Sequence, residues 1–577
     1  MRTIKYLLVM FLIYSMYAQV NEYYFRIPYE DLSVIDEWTR LFSVDDVDAN
    51  YVYGYANPEQ WKMLSSMGLS PEQLPHPSSL YKHRMSQSPA EVLTDWDTYP
   101  TYLDYRVMMQ QFATNYPDIC RLDTMGYSVQ GRLLLSVKIT DNPDQEEDEP
   151  EFLYTSTMHG DETVGYVLLL RLIDYLLSNY GQPTPEGERV THLVDNMEIW
   201  INPLFNPDGT YWGGNNTVDY AIRFNANGVD LNRNFPDRIT DPDNTTDGRE
   251  AETAAMMNFV REHNFNLSAN FHGGAQVVNY PWDNGAPSGT YSACPDDSWF
   301  IDVSMVYAST NPDMLNGGFP NGITNGCDWY AIYGGRQDWI YYWHGGRETT
   351  IELWNIKNPP GSVLPGRWEN NRESFLAYME QAFKGIRGIV TDSLTGTPLA
   401  ARIDIVGIDN APVFTDPDVG DYHRLLLPGN YDVVVSADSY YTDTLYNVLV
   451  TDSVATRLDV ALLPLSPTGI QTASAEQLSQ QVYLYSNYPN PFNPVTHLSF
   501  RIRQKGWVRL VIYDLLGRTV KVLQDQLISP GEYEVSWNAT NDHGEPVSSG
   551  VYIYQLNFQP HTQPLSVSKQ GKMLLLR

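Results

Sequence analysis

Three cysteines in 577 residues, Cys120, Cys294 and Cys327, are too few for a disulfide scaffold, and their spacing forms no zinc-finger pattern. At most one bridge can form; Cys294 with Cys327 is the pairing to test against disulfide geometry. Basic residues are also scarce: 37 Lys and Arg stand against 70 Asp and Glu, a formal net charge of −33. A field of that sign repels phosphate backbones, so nucleic acid is not an expected partner. Beyond the first twenty residues no run of 18 consecutive apolar residues occurs, so no later transmembrane span is expected. No repeat of fixed period is evident. What the chain does have is apolar and aromatic mass, 42% and 13% with 41 Tyr and 14 Trp. That excludes a mainly disordered chain, and the length suggests about three to five domains.

The organisation follows from shifts in texture along the chain. Arg2 and Lys5 precede a short apolar run, residues 6–16, and Ala18 follows, the pattern of a signal peptide over 1–18. Residues 19–90 hold two stretches, FRIPYEDLSVIDEWTRLF and YVYGYANPEQWKMLSSMGL, that each read as a strand followed by an amphipathic helix. From 92 to 384, strand-like runs (133–140, 151–158, 197–205, 267–272) alternate with helical ones (164–180, 252–264). Alternation of this kind predicts an α/β domain with a mixed, mostly parallel sheet. After Gly385 short β-type runs recur between Gly, Pro and Asp turns, predicting an all-β sandwich over 385–464. A small-polar linker, 465–481, leads to a second all-β sandwich module, 482–577.

Chemistry concentrates in the α/β region. MHGDE places His159 and Glu162 three apart where a strand gives way to a helix, so that both side chains can face one metal ion. Alone, this pattern equally serves a helix cap. The next strand end, SANFHGG, adds His272, and a local pair plus a distant His is the three-ligand, one-open-position plan of a catalytic zinc site. TTIELW puts Glu352 inside an apolar, β-branched strand, where a carboxylate is costly unless paired or at work. FNANGVDLNRNFPD sets Asn232 and Arg233 in a turn-rich segment, and a guanidinium fork there suits a carboxylate, although a solvated loop Arg would look the same.

Residues from about 95 to 460 resemble the zinc metallocarboxypeptidases, in particular the branch of carboxypeptidases D, E, M and N. The segments that carry this resemblance are MHGDETVG, NPDGT, NANGVDLNRNFPD, SANFHGGAQVVNYPWD, NGITNGCDWYAIYGGRQDW and TIEL, in family order. The resemblance implies one zinc ion per chain on His159, Glu162 and His272, with Glu352 as general base and Arg223 as the oxyanion-stabilising arginine. It implies that Asn232, Arg233 and Tyr330 bind the terminal carboxylate of peptides or proteins. It further implies that Asp283, with Gln337, selects C-terminal Lys or Arg. Two departures bear on this. Asp161 stands between the local ligands where Asn is usual in that branch, and Arg336 replaces a Met, adding positive charge beside the pocket expected to hold a basic side chain.

The flanks carry resemblances of their own. Residues 385–405 are similar to the start of a transthyretin-like β-domain, and 19–85 resemble the N-terminal parts of exported bacterial members, which implies a pro-region. PNPFNP, VIYDLLGRTV, SSGVYIYQL and KMLLLR resemble a type IX secretion C-terminal sorting domain. That resemblance implies a secretion-machinery partner and a place outside a Gram-negative cell, secreted or at its surface. Two other functions compete: a non-catalytic surface-adhesion protein, and a related zinc amidohydrolase acting on peptidoglycan or acyl-amino acids. The first requires a lost ligand or base, and the second makes no use of three residues aimed at an α-carboxylate.

Overall fold

The computed structural model describes residues 22–465, 482–515, 517–560 and 567–576. The expected signal peptide and all but the first residue of the expected linker lie outside the described residues. The chain forms two compact units, Met1–Leu465 and Ser466–Arg577.

In the first unit, the N-terminal segment is a small antiparallel sheet of β1 (Tyr23–Pro28), β2 (Ser43–Val47), β3 (Tyr51–Ala56) and the two-residue β4 (Glu72–Gln73), in the order β2-β3-β1-β4. Helix Pro58–Ser66 starts where the pattern places it: Asn57 accepts from the backbone amides of Glu59 and Gln60, and Gln60 returns the bond in a capping box. The strand–helix pairs read from the sequence are present. β2, whose central residues are Asp45 and Asp46, shows no alternation that would reveal it.

The α/β region is an eight-stranded sheet of β5 (Cys120–Tyr127), β6 (Leu133–Ile139), β7 (Glu151–Ser156), β8 (Glu198–Asn202), β9 (Phe265–His272), β10 (Val277–Tyr280), β11 (Ile323–Asn325) and β12 (Arg347–Glu352). The spatial order is β11-β10-β12-β9-β7-β8-β6-β5. β12, β9, β7 and β8 form a continuous parallel block, β10 and β11 are also parallel, and the remaining pairings are antiparallel. The mixed, mostly parallel sheet expected from the alternation is thus present. β7 and β9 are buried throughout because the sheet is covered on both faces. Successive side chains alternate between two cores: Phe152 and Tyr154 pack with helices Val164–Asn179 and Leu364–Met379, whereas Leu153 packs with Ala251–Glu262.

All three cysteines are free and buried, so the Cys294–Cys327 bridge is not formed. The Cys327 thiol instead lies 3.0 Å from the Ala286 carbonyl oxygen, and Cys294 packs into the main apolar core. Residues 386–462 hold two small sheets, one built on Ile386–Asp392 and one on Ala401–Ile405 and Gly429–Ala437. This region is pinned to the α/β domain by a buried cluster in which the Asp296 carboxylate accepts from both Arg347 and Arg424, each at 2.6 Å. The second unit likewise has two sheets, of three and four strands, around a core that includes Phe500, Leu510, Trp537 and Leu556. Among the described residues no helix is long and apolar enough to cross a membrane.

Candidate metal centre and substrate pocket

The chemistry-bearing residues collect beyond the carboxyl ends of β7, β9 and β12, where parallel strands release their chains into loops and leave a crevice. His159 and Glu162 lie in the link between β7 and helix Val164–Asn179. That link is tight. Thr157 has a positive φ of 63°, and a Cβ on Gly160 would sit 2.4–2.5 Å from backbone atoms of Gly209 and Ile222, so only glycine fits at position 160. His272 ends β9 and Glu352 ends β12, and the two are direct neighbours in register.

Three donor atoms converge. His159 Nδ1 lies 3.0 Å from Glu162 Oε2, His272 Nδ1 lies 2.9 Å from the same oxygen, and the two Nδ1 atoms are 3.1 Å apart. The far nitrogens are occupied: His159 Nε2 is 3.0 Å from Asp230 Oδ1, and His272 Nε2 is 2.7 Å from the Asn270 side-chain amide. His159 Nε2 faces a carboxylate and keeps its proton there, leaving its Nδ1 lone pair toward Glu162, whereas His272 Nε2 accepts from an amide nitrogen and so keeps its proton on Nδ1, toward the Glu162 oxygen. A proton can reconcile two of these atoms, and a metal ion reconciles all three. The triangle is close to the roughly 3.3 Å edge of a tetrahedral zinc site with bonds of about 2.0–2.1 Å. The residues present thus fit a zinc ion, with Asp230 and Asn270 orienting the rings.

The electrostatics agree with a cation site. Burial alone would raise the Glu162 carboxyl, yet His159, Lys357 and His272 hold it well below the ordinary range. Burial presses His272 down to about 4, which keeps its imidazole neutral. Glu352 shows the opposite behaviour. Burial, with the nearby Glu162 charge, raises it to about 8, and its Oε2 is enclosed without a hydrogen-bond partner. An ionisable group with a free oxygen and a proton affinity near neutrality is equipped to take and return a proton.

Beside the triangle opens a cavity of about 260 Å³ lined by every residue named for the site from the sequence except Gln337. Arg223 is buried and directs Nη1 to Glu162 Oε1 at 3.2 Å. Asn232 accepts the Arg336 amide at 3.0 Å, and Arg233 and Tyr330 face the same space. Asp283 forms one end, its Oδ1 accepting from Gln337 at 2.7 Å and from Asn279 at 3.3 Å. The floor there is Gly326, where a Cβ would stand 2.0 Å from Asp283 Oδ1. The two departures resolve in the geometry. Arg336 does not line the cavity; its guanidinium is fully buried and paired twice, at 2.8 Å, with Glu348, so its charge is cancelled where it stands. Asp161 turns away from the cavity and accepts from Tyr55 at 2.9 Å.

Sequence reasoning missed Asp230, Asn270 and Lys357. Asp230 stands in the quoted NANGVDLNRNFPD segment, two residues before Asn232. Lys357 follows Glu352 by five residues in a Pro-rich loop, with no periodicity to mark it as buried, yet its ammonium donates to Glu162 Oε1 at 2.8 Å.

The zinc carboxypeptidase family profile, Peptidase_M14, matches residues 105–374. Mouse (Mus musculus) carboxypeptidase M is 40% identical over 351 residues, which is 58% of this chain and 77% of that protein. The chain belongs to the zinc carboxypeptidase family. Rat (Rattus norvegicus) carboxypeptidase N catalytic chain is 39% identical over 361 residues, 57% of this chain and 78% of that one. Human (Homo sapiens) carboxypeptidase D is 42% identical over 374 residues, 62% of this chain. Only 26% of that longer protein is spanned. Membership of the zinc carboxypeptidase family agrees with the donor set found at the strand ends.

Proposed function

We propose that this chain is a metallocarboxypeptidase that hydrolyses the C-terminal peptide bond of peptides and proteins, with one zinc ion held by His159, Glu162 and His272. The observation that carries this reading is the convergence of three ligand atoms beside Glu352, whose Oε2 has no hydrogen-bond partner, on a cavity that Asn232, Arg233 and Tyr330 also line. Zinc, when bound there, supplies Lewis-acid polarisation of a carbonyl and makes a water more acidic.

The residues of the chain do the rest. Glu352 takes a proton from the attacking water and delivers it to the departing amine nitrogen, so the free oxygen of one carboxyl serves both halves of hydrolysis. The Arg223 guanidinium, fixed by its bond to Asp230, offers positive charge to the carbonyl oxygen as it becomes anionic. The Arg233 fork and the Asn232 amide hold the terminal carboxylate, and the Tyr330 ring closes over it. A cation and an amide that grip a terminal carboxylate select chain ends over internal peptide bonds. Asp283, steadied by Gln337, pairs with a Lys or Arg side chain of the last residue. The cancelled charge of Arg336 removes the objection its sequence position raised.

This reading also takes 19–90 as a pro-region, 385–464 as a transthyretin-like sandwich, and 482–577 as a sandwich module addressed to the type IX machinery of a Gram-negative cell. The mature protein would then be released or held at the surface. An adhesion role is disfavoured by a donor set and base that are complete. The test is the Glu352→Gln variant. We expect about one zinc per chain by elemental analysis in both proteins, and loss of peptide hydrolysis by about 10²–10⁴-fold in the variant alone. Unchanged hydrolysis in the variant would refute the role of Glu352.

A further inference from the structure

We infer that Arg336 is a positioning residue for substrate selection: its fork on Glu348 sets the spacing between the part of the pocket that grips the terminal carboxylate and the part that reads the last side chain. The inference deepens the proposed reading of the pocket and rests on it. Arg336 opens a four-residue helix, Arg336–Trp339, and does not itself line the cavity. Three consecutive residues of that helix each hold a pocket group. The Arg336 backbone amide donates to Asn232 Oδ1 at 3.0 Å, and the Gln337 side-chain amide donates to Asp283 Oδ1 at 2.7 Å. Both Asp338 oxygens lie 3.1 Å from the Asp283 backbone nitrogen. The first of these bonds also orients Asn232: with its oxygen taken, its NH2 is the end left for a carboxylate. The place of this helix therefore decides how Asn232 stands relative to Asp283.

Polar bonds tie the helix to β12. Arg336 Nε donates to Glu348 Oε1 and Nη2 to Glu348 Oε2, both at 2.8 Å, and Gln337 Oε1 accepts the Thr350 amide at 2.9 Å. Ser268 of β9 donates to the same Glu348 Oε2 at 2.8 Å, which fixes the carboxylate from the other side. Glu348, Thr350 and Glu352 alternate along β12 and so share one face. Thr350 and Glu352 line the cavity, which puts the ion pair directly behind its wall. Two parallel bonds between planar groups fix separation and angle together, which a point charge or an apolar chain does not. Stability is a poor account of this pair. Both side chains are fully buried, and Arg336 Nη1 is enclosed with no partner. Apolar residues of similar volume commonly match or exceed the stability of such a pair, so geometry is what the pair supplies here.

The experiment compares the full-length wild type with two full-length variants: Arg336→Met combined with Glu348→Leu, and Arg336→Lys alone. Initial rates are measured on matched peptides ending in Arg or Leu, and zinc content and the unfolding midpoint are taken on each protein. We expect the double variant to keep its zinc, a near-wild-type midpoint and a kcat within about twofold. Its preference for Arg over Leu in kcat/KM should drop about tenfold, through a higher KM for the Arg peptide. Arg336→Lys, which keeps the charge and loses the fork, should shed several-fold of the same preference. A pair that only holds the fold together would lower the midpoint and leave the preference of the folded protein at its wild-type value. That result in both variants would overturn the inference and leave the reading of the pocket standing. If the double variant does not fold, Arg336→Lys decides between the two results. A wild type that cleaves both peptides alike, or neither, would overturn the Asp283 reading and this inference with it.

Discussion

At Asp283 two opposed effects meet. Burial raises its carboxyl to about 7, while Asn279, Arg233 and Gln337 pull it back and Asp237 pushes it up. Its amide donates to Asp338, a second buried carboxyl raised well above its usual range despite the pull of Arg238. Two such groups side by side share their charge poorly. A pocket that pairs with Lys or Arg needs Asp283 ionised, and the ionised form dominates above its pKa. KM for an Arg-terminated peptide is therefore expected to fall as pH rises through about 7, and to lose that step in Asp283→Asn. Steady-state kinetics at several pH values checks both, with a Phe-terminated peptide as the control that should show no such step in KM. The Asn variant should cut the Arg preference by about 10–100-fold, the value of roughly 1.4–2.7 kcal/mol of charge-assisted bonding. At this scale the sequence was readable wherever a residue type has one efficient use. His159, Glu162 and His272 were found because imidazole and carboxylate at strand ends suggest a metal. Lys357 and Asp230 were not, because a Lys or Asp in a loop is usually solvated, and only the packing of distant loops shows that these two are buried.

Strand register does the positioning. Glu352 opposite His272 in adjacent parallel strands sets base and ligand side by side without any loop to adjust them. Alternation in the sequence predicted β6, β7, β8 and β9 closely, because buried strands are continuous apolar runs. It did not reveal β5, β10 or β11, which lie at and near the edges; β5 carries Arg121, Asp123 and Thr124 on a half-exposed face. The element that joins the first β-region to the sheet is the Asp296 cluster. Burial opposes the Asp296 charge, and Arg347 and Arg424 overcome it. Asp296→Ala leaves two guanidinium groups buried without that partner and should cost about 3–5 kcal/mol. A lowered midpoint in denaturant-induced unfolding of the first unit checks this, and unchanged unfolding would show that the Asp296 cluster does not hold the β-region.

For the whole molecule, metal and fold are linked. Three ligands that the fold brings together are not together in the unfolded chain, so a metal that binds the folded chain alone stabilises it. Chelation should lower Tm by several degrees in the wild type and very little in His272→Ala, as calorimetry would show. The N-terminal segment, the α/β domain and the region over 386–462 lie within one compact unit. The reason is physical: the apolar core of the segment is completed by Tyr330 and Ile332 of the α/β domain. Linker-like texture between elements gives no information about which faces meet.

Mass spectrometry of matched peptides ending in Lys, Arg, Phe, Leu or a blocked amide, incubated with the full chain with and without a zinc chelator, decides between a carboxypeptidase and any other role. The expected result is loss of a single terminal Lys or Arg, abolished by the chelator, with the amide untouched. Cleavage of the amide, or of internal bonds, would contradict it.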